Sequence, residues 1–164
     1  MSLTADPVGI EAIRAAIQSP ILRRAVDYWA SKRGARAMPD RRDIEPLELR
    51  DVLGYISLIA IERNPYRFFF RLDGTKQVEL FRIDCTGRYL DECFDEQHLR
   101  VAMKSYQQVS ETGQPSYYRR QLPFHERVIS YEIVILPLAG SVSYEAGIAA
   151  DQPAMLMTVI IPDW

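Results

Sequence analysis

The chain has 164 residues, 20 Lys and Arg against 22 Asp and Glu, 48% apolar residues and two cysteines. At this length roughly two-thirds of the surface exposed by the unfolded chain is buried on folding, so one domain holds a core without a disulfide or metal staple and a second has no room. The formal net charge of −2 supplies no cationic excess for the counterion release that drives nucleic-acid binding, and no nucleic-acid partner is expected.

The first third reads as helical. Asp6-Pro7 and Ser19-Pro20 each set a capping side chain before a proline that suits a first helical turn. In the first helix Ile10, Ile13 and Ile17 share one face, and in the second Leu22, Ala25, Val26 and Trp29 form a stripe that should stop near Gly34. Charge, Pro39 and Pro46 make the stretch from Arg33 to Arg50 a surface connection, with one short helix from Pro46 to Leu53 ending at Gly54. The pattern divides the chain into N-terminal helices (1–36), a connector (37–54) and a core domain (55–164).

From Tyr55 the pattern turns extended. Tyr55–Ile61 and Arg67–Leu72, separated by Asn64-Pro65, predict an antiparallel hairpin closed by Gly74. Thr75 then serves as N-cap of a short helix through Val78, Leu80 and Phe81, and Asp84–Phe94 holds at most one further turn. A longer helix starts at Asp95, carries Leu99, Ala102, Met103, Tyr106 and Val109 at helical period, and ends at Gly113 as a left-handed cap. Strands at Tyr117–Phe124, Val128–Leu136 and Met155–Ile161 finish the chain, with a long Ala139–Pro153 connection before the last. Short sequential strands favour antiparallel pairing, so the class is α+β: one sheet, helices on one face and an N-terminal helical extension.

The strings YWASKRGARAMPDRRDIEPLEL, FFFRLDGT, VELF, DCTGRYL and ETGQP resemble the bacterial single-domain PAS family of stand-alone regulatory proteins, over about Ala25 to Leu138. The family's Arg-x-Pro-x-Arg-x-Asp connection falls on Ala37 to Asp43. Its Gly-Thr pair falls on Gly74 and Thr75, and its Gly-Arg-Asp-Leu-Thr-Gly-like turn is matched by Asp84, Thr86 and Gly87 but departs at Arg82 and Ile83. The resemblance implies a five-stranded antiparallel PAS sheet and a sensory or regulatory role. Function inferred from fold is association alone.

The candidate sites follow from these elements. Phe69, Phe81, Tyr106 and Tyr131 are expected to point inward as core residues or as the lining of a ligand cavity, with Thr75 as a polar contact. Strand alternation forbids Phe69 from sharing a face with Phe68 and Phe70. Haem and flavin are not expected: Leu90 stands where the light-sensing flavin subclass carries its reactive Cys, and His98, in the first turn of the long helix, reads as a capping or solvated residue. His125 reads as an exposed turn residue. Cys85 and Cys93, eight apart without a metal-ligand pattern, read as free thiols, and no metal is expected. Arg23, Arg24, Lys32, Arg33 and Arg36 read as a solvated face or a dock for an acidic partner.

The longest apolar runs, Ile56–Ile61 and Met155–Ile161, are about a third of the roughly 20 residues a membrane helix needs. The amino terminus lacks a secretory pattern, which makes the expected location cytoplasmic. The leading expectation is a sensory module without catalysis that binds a small ligand or partner protein and signals by contact. Ile10, Ile13 and Ile17 would form an uncovered stripe for a homodimer or partner. The alternative is a small enzyme of the ketosteroid-isomerase type with Asp84 as base and Tyr106 or Tyr131 as donor, against a turn role for Asp84 in which it bonds the N–H groups of Thr86 and Gly87.

Overall fold

A computed structural model describes residues 9–140 and 152–163. Two helices, α1 (Ile10–Ala16) and α2 (Pro20–Arg33), lead through three short 3-10 turns into the hairpin β1 (Ile56–Glu62) and β2 (Arg67–Leu72). Helix α3 (Thr75–Phe81), a 3-10 turn at Leu90–Glu92 and helix α4 (Glu96–Thr112) follow, and the chain ends in β3 (Ser116–Phe124), β4 (Arg127–Leu138) and β5 (Met155–Pro162). The strands form one sheet in the order β2-β1-β5-β4-β3, every neighbouring pair antiparallel.

The local signals explain most boundaries. The Ser19 side chain accepts the Leu22 N–H at 3.3 Å to start α2, and the Asp95 side chain accepts the His98 N–H at 2.9 Å to start α4. Gly113, at φ 68°, closes α4 as the left-handed cap. Two of the expected elements differ from the sequence reading. Gly74, not Thr75, is the N-cap of α3. The expected helix from Pro46 to Leu53 is two 3-10 turns, Pro46–Leu49 and Leu53–Tyr55. Most of the Ala139–Pro153 connection and the Asp6-Pro7 start signal lie outside the described residues.

The sheet is covered on both faces. On the inner face α3 and α4 bring Leu80, Phe81, Ala102 and Tyr106 against Ile59, Phe68, Phe70, Tyr131, Ile133 and Ile135. On the outer face α1 and α2 bring Ile13, Leu22, Val26 and Trp29 against Val134, Leu136, Met157 and Val159. Trp29 donates its Nε1–H to the Pro137 carbonyl at 2.9 Å, so even the polar corner of the indole is satisfied in the core.

The expected uncovered isoleucine stripe is therefore corrected. Ile13 is 0% exposed and Ile17 3%, while Ile10 packs against the same cluster. These side chains are consumed by the sheet's own outer face and leave no apolar stripe for a second chain. The α1–α2 junction is pinned from below by Glu132 of β4, which is buried and accepts the Gln18 N–H at 3.1 Å and the Tyr117 hydroxyl at 2.5 Å.

Three of the basic residues on and just after α2 meet acidic partners. Arg24 reaches Asp51 at 3.3 Å, Lys32 reaches Glu48 at 3.1 Å and Arg36 reaches Asp43 at 2.8 Å, while Arg23 donates to the Ile17 carbonyl at 3.0 Å. Arg33 lies over the Trp29 ring at 5.1 Å. Arg24, Lys32 and Arg36 thus tie α2 to the connector, while Arg23 and Arg33 have no carboxylate partner among the described residues. Because Ile13 is enclosed, Ile13→Ala should cost about 2–5 kcal/mol of stability, read as a lower urea midpoint. An unchanged midpoint would mean that α1 is not part of the folded core.

Candidate functional site

Between the inner face of the sheet and the helices α3 and α4 lies a cavity of about 20 Å³, space for roughly one water molecule. The sheet contributes Phe70, Tyr131, Ile133 and Ile160, α3 contributes Gln77 and Phe81, and α4 contributes His98, Ala102 and Tyr106. Asp73, at the end of β2, and Arg120, on β3, complete a polar side.

Of the residues singled out in the sequence, Phe81, Tyr106 and Tyr131 meet here. Phe69 does not. The hairpin register pairs Ile59 with Phe70 and Ile61 with Phe68, and these four side chains enter the inner core. Phe69 is thus turned to the other face, where its ring centroid is 5.2 Å from that of Tyr89. The rule that one of three consecutive phenylalanines must oppose the other two was sound; the side assigned to Phe69 was not, because a run of identical residues carries no parity signal.

Thr75 is exposed in the first turn of α3 and does not reach the cavity. Its neighbour Gly74 has a steric role, since a Cβ there would lie 2.3 Å from the Gly54 carbonyl oxygen and 2.6 Å from that of Ile56. Gly74→Ala should consequently lower the thermal midpoint sharply, and retention of the wild-type midpoint would contradict this backbone packing.

Asp84 is likewise on the surface, where it accepts the Thr86 N–H at 3.0 Å, a bond that holds its carboxyl below the usual range. It cannot be the base of an enclosed active site. The Gly87 N–H, which the turn reading also gave to Asp84, instead donates to the Phe70 carbonyl at 2.8 Å, and the Phe70 N–H donates to Arg88 at 2.9 Å. With Gly87 at φ 77°, the turn lays residues 87–89 along the open edge of β2.

Four lining residues escaped the sequence reading: Asp73, Gln77, His98 and Arg120. His98 is neither solvated nor a simple cap. It is 6% exposed, stacked on Phe94 at 4.3 Å between centroids and edge-on to Phe81 at 5.1 Å. Its Nδ1 is buried without a hydrogen-bond partner among the described residues, and burial pulls its pKa down to about 4, so the ring is neutral at pH 7. The spacing His98, Ala102, Tyr106 places it on the buried stripe of α4, which was the available signal.

Asp73 belongs to a buried polar chain. Ser57 Oγ lies 2.7 Å from Asp73 Oδ1 and 2.8 Å from Gln77 Oε1, while Gln77 Nε2 donates to the Tyr55 carbonyl at 2.8 Å. One hydroxyl has one proton, so both Ser57 contacts are satisfied together when Asp73 is protonated and donates to Ser57, which then donates to Gln77. Burial raises the Asp73 carboxyl in that direction, against the opposing pull of the Cys85 N–H at 3.0 Å. Thr158 Oγ1, on the neighbouring strand, is buried without a partner among the described residues.

Arg120 makes no ion pair among the described residues. Its guanidinium lies 4.3 Å from the Tyr118 ring centroid and counteracts the burial that raises the Tyr131 hydroxyl. Cys85 and Cys93 are free, with both thiols raised by burial and so protonated at neutral pH. His125 is exposed at the β3–β4 turn. Among the described residues no cluster of His, Cys, Asp and Glu has the makings of a metal site, and no helix is long and apolar enough to cross a membrane.

The buried neutral imidazole has a measurable consequence. An unfolded His titrates near about 6.5, above the folded value of about 4, so the unfolded state takes up the proton first and stability falls as pH drops through that interval. The loss is on the order of 3 kcal/mol. Asp73, with its raised carboxyl, contributes in the opposite sense, its stabilisation fading as pH rises through its folded value. Urea unfolding at pH 7 and pH 4 should therefore show a smaller acid loss in His98→Asn than in the wild type. Identical losses would place a solvated imidazole at this position.

No curated protein matches the chain. A crystal structure of a sensory box histidine kinase/response regulator from Burkholderia thailandensis E264 is similar at 8% identity and a TM-score of 0.42, over 72% of this chain and 84% of that one. A family model described as PAS domain matches residues 17–148, a span that contains the sheet strands β1 to β4, both inner helices and the Gly74 and Asp84–Gly87 turns. The chain belongs to the PAS domain family.

Proposed function

We propose that this PAS domain is a cytoplasmic sensory module that takes a small polar molecule of a few heavy atoms into its inner cavity and passes the signal to a partner protein by contact, without catalysis. The observation that carries the reading is His98 Nδ1, a buried polar atom without a partner among the described residues, at the edge of a cavity that Arg120 also lines. A native interior leaves few such atoms unpaired, because each costs about 1–3 kcal/mol. A ligand that accepts from Arg120 and bonds the imidazole would recover that cost. The aromatic walls formed by Phe81, Phe94 and Tyr131 supply shape and exclude bulk water.

The ligand acts by population shift. At about 100 times its dissociation constant it adds roughly 2.7 kcal/mol to the bound state, enough to bias two packings of the inner helices on the sheet. Formate and acetate are suitable probes because they are the smallest carboxylates and match Arg120 in charge; both exceed the one-water space of the closed cavity, so either enters only as the inner helices shift on the sheet. Each should raise the thermal midpoint saturably in the wild type, and Arg120→Gln should remove the shift while leaving the ligand-free midpoint near its original value. Absence of a saturable shift with either anion, or an equal shift in Arg120→Gln, would overturn the reading.

A further inference from the structure

We propose that the outer face of the sheet carries a second binding site, separate from the inner cavity, for an amphipathic carboxylate: a medium-chain acyl anion whose tail lies across β1 and β5 and whose head group meets Arg41 and Arg71. A groove of about 400 Å³ runs between the connector and the sheet at this place. The groove opens to solvent along one side, and its volume falls in the range of about 300–1,000 Å³ occupied by ligand pockets. The inner cavity, at about 20 Å³, has no room for such a molecule.

The lining sets the chemistry of the tail. Leu58 and Met157 form a buried floor, Met155 continues it, and Ile44, Leu49 and Leu53 of the connector form a wall. No aromatic ring contributes, and the two thioethers adapt to a flexible chain. A straight aliphatic tail suits this surface better than a flat ring, which finds no stacking partner in it.

The mouth sets the chemistry of the head. Arg41 donates to the Ile44 carbonyl at 3.2 Å and Arg71 lies 5.2 Å from the Phe69 ring centroid, but among the described residues neither meets a carboxylate. Their neighbours differ: Arg24, Arg36 and Arg42 each have an acidic partner. Two guanidinium groups at the rim of an apolar groove, each without a carboxylate partner among the described residues, complement one anionic head attached to an apolar tail, and the guanidinium fork matches a carboxylate in geometry.

The test is calorimetric titration of the whole chain with decanoate below its micellar concentration, with octanoate and decanol as comparisons. Saturable binding of one decanoate per chain is expected. Octanoate should bind roughly fifteenfold more weakly, about fourfold for each missing methylene, and decanol about tenfold more weakly for want of the charge. Arg71→Gln, an exposed position that leaves folding intact, should weaken decanoate by a similar factor, and Met155→Trp should abolish binding by filling the groove. His98→Asn and Arg120→Gln, which alter the inner cavity, should leave decanoate binding unchanged, so failure here is separable from failure of the inner-site reading. The proposal is overturned if the wild type shows no saturable binding, if decanol binds as tightly as decanoate, or if Arg71→Gln is without effect. It also falls if sedimentation shows a dimer that Met155→Trp dissociates, because the groove would then hold a second copy of the chain.

Discussion

Strand parity is the constraint on which everything else in this domain depends. From Tyr131 to Leu138 every residue of β4 is buried, and β5 is buried almost throughout. A strand buried on both sides sends alternate side chains into two separate cores. Tyr131, Ile133 and Ile135 go to the inner core, while Glu132, Val134 and Leu136 go to the outer surface beneath α1 and α2. A slip of one residue in the β4–β5 register would exchange the two sets and bring Glu132 into the aromatic core. The antiparallel pairing, the position of both helix layers and the composition of the cavity all follow from that one choice.

Much of this is legible in the amino-acid sequence. The alternation of Ile129, Tyr131, Ile133 and Ile135, the cap residues Ser19, Asp95 and Gly113, and the Asn64-Pro65 turn are local signals, and local signals placed the strands and the long helix. What failed was whatever needed the other half of a contact. Three phenylalanines in a row have the right period but no phase, so Phe69 was turned the wrong way. Ile10, Ile13 and Ile17 were recognised as apolar, but an apolar stripe does not say whether its own sheet or another chain will cover it. His98 sat at the start of a helix, where a polar residue normally meets water, and only the packing of Phe94, Phe81 and Phe124 around it removes that water.

The polar groups of the inner core share a physical logic. Ser57, Gln77 and Thr158 are all buried, at the end of the sheet covered by α3, and Asp73 joins them through Ser57. Taking these groups from water is costly unless each finds a partner, and the chain from Asp73 through Ser57 to Gln77 and the Tyr55 carbonyl satisfies most of them. Gly74 makes that chain geometrically available. Its missing Cβ lets the start of α3 approach the backbone at Gly54 and Ile56, which is what brings Gln77 within reach of β1. The family's glycine is thus a spacing device for a polar network more than a turn residue.

Glu132 gives the outer layer a stake in the inner one. It follows Tyr131 directly along β4, and its carboxylate grips the backbone between α1 and α2 on the far side of the sheet. Under the proposed function, a molecule whose affinity depends on the position of the Tyr131 ring would be coupled through a single peptide unit to the seating of those two helices. Such coupling is reciprocal by thermodynamic necessity. Whatever prised the helix junction from Glu132 would then change the affinity of the cavity by the same factor by which filling the cavity changes the grip on the junction, with the sheet between them as a common lever rather than a wall.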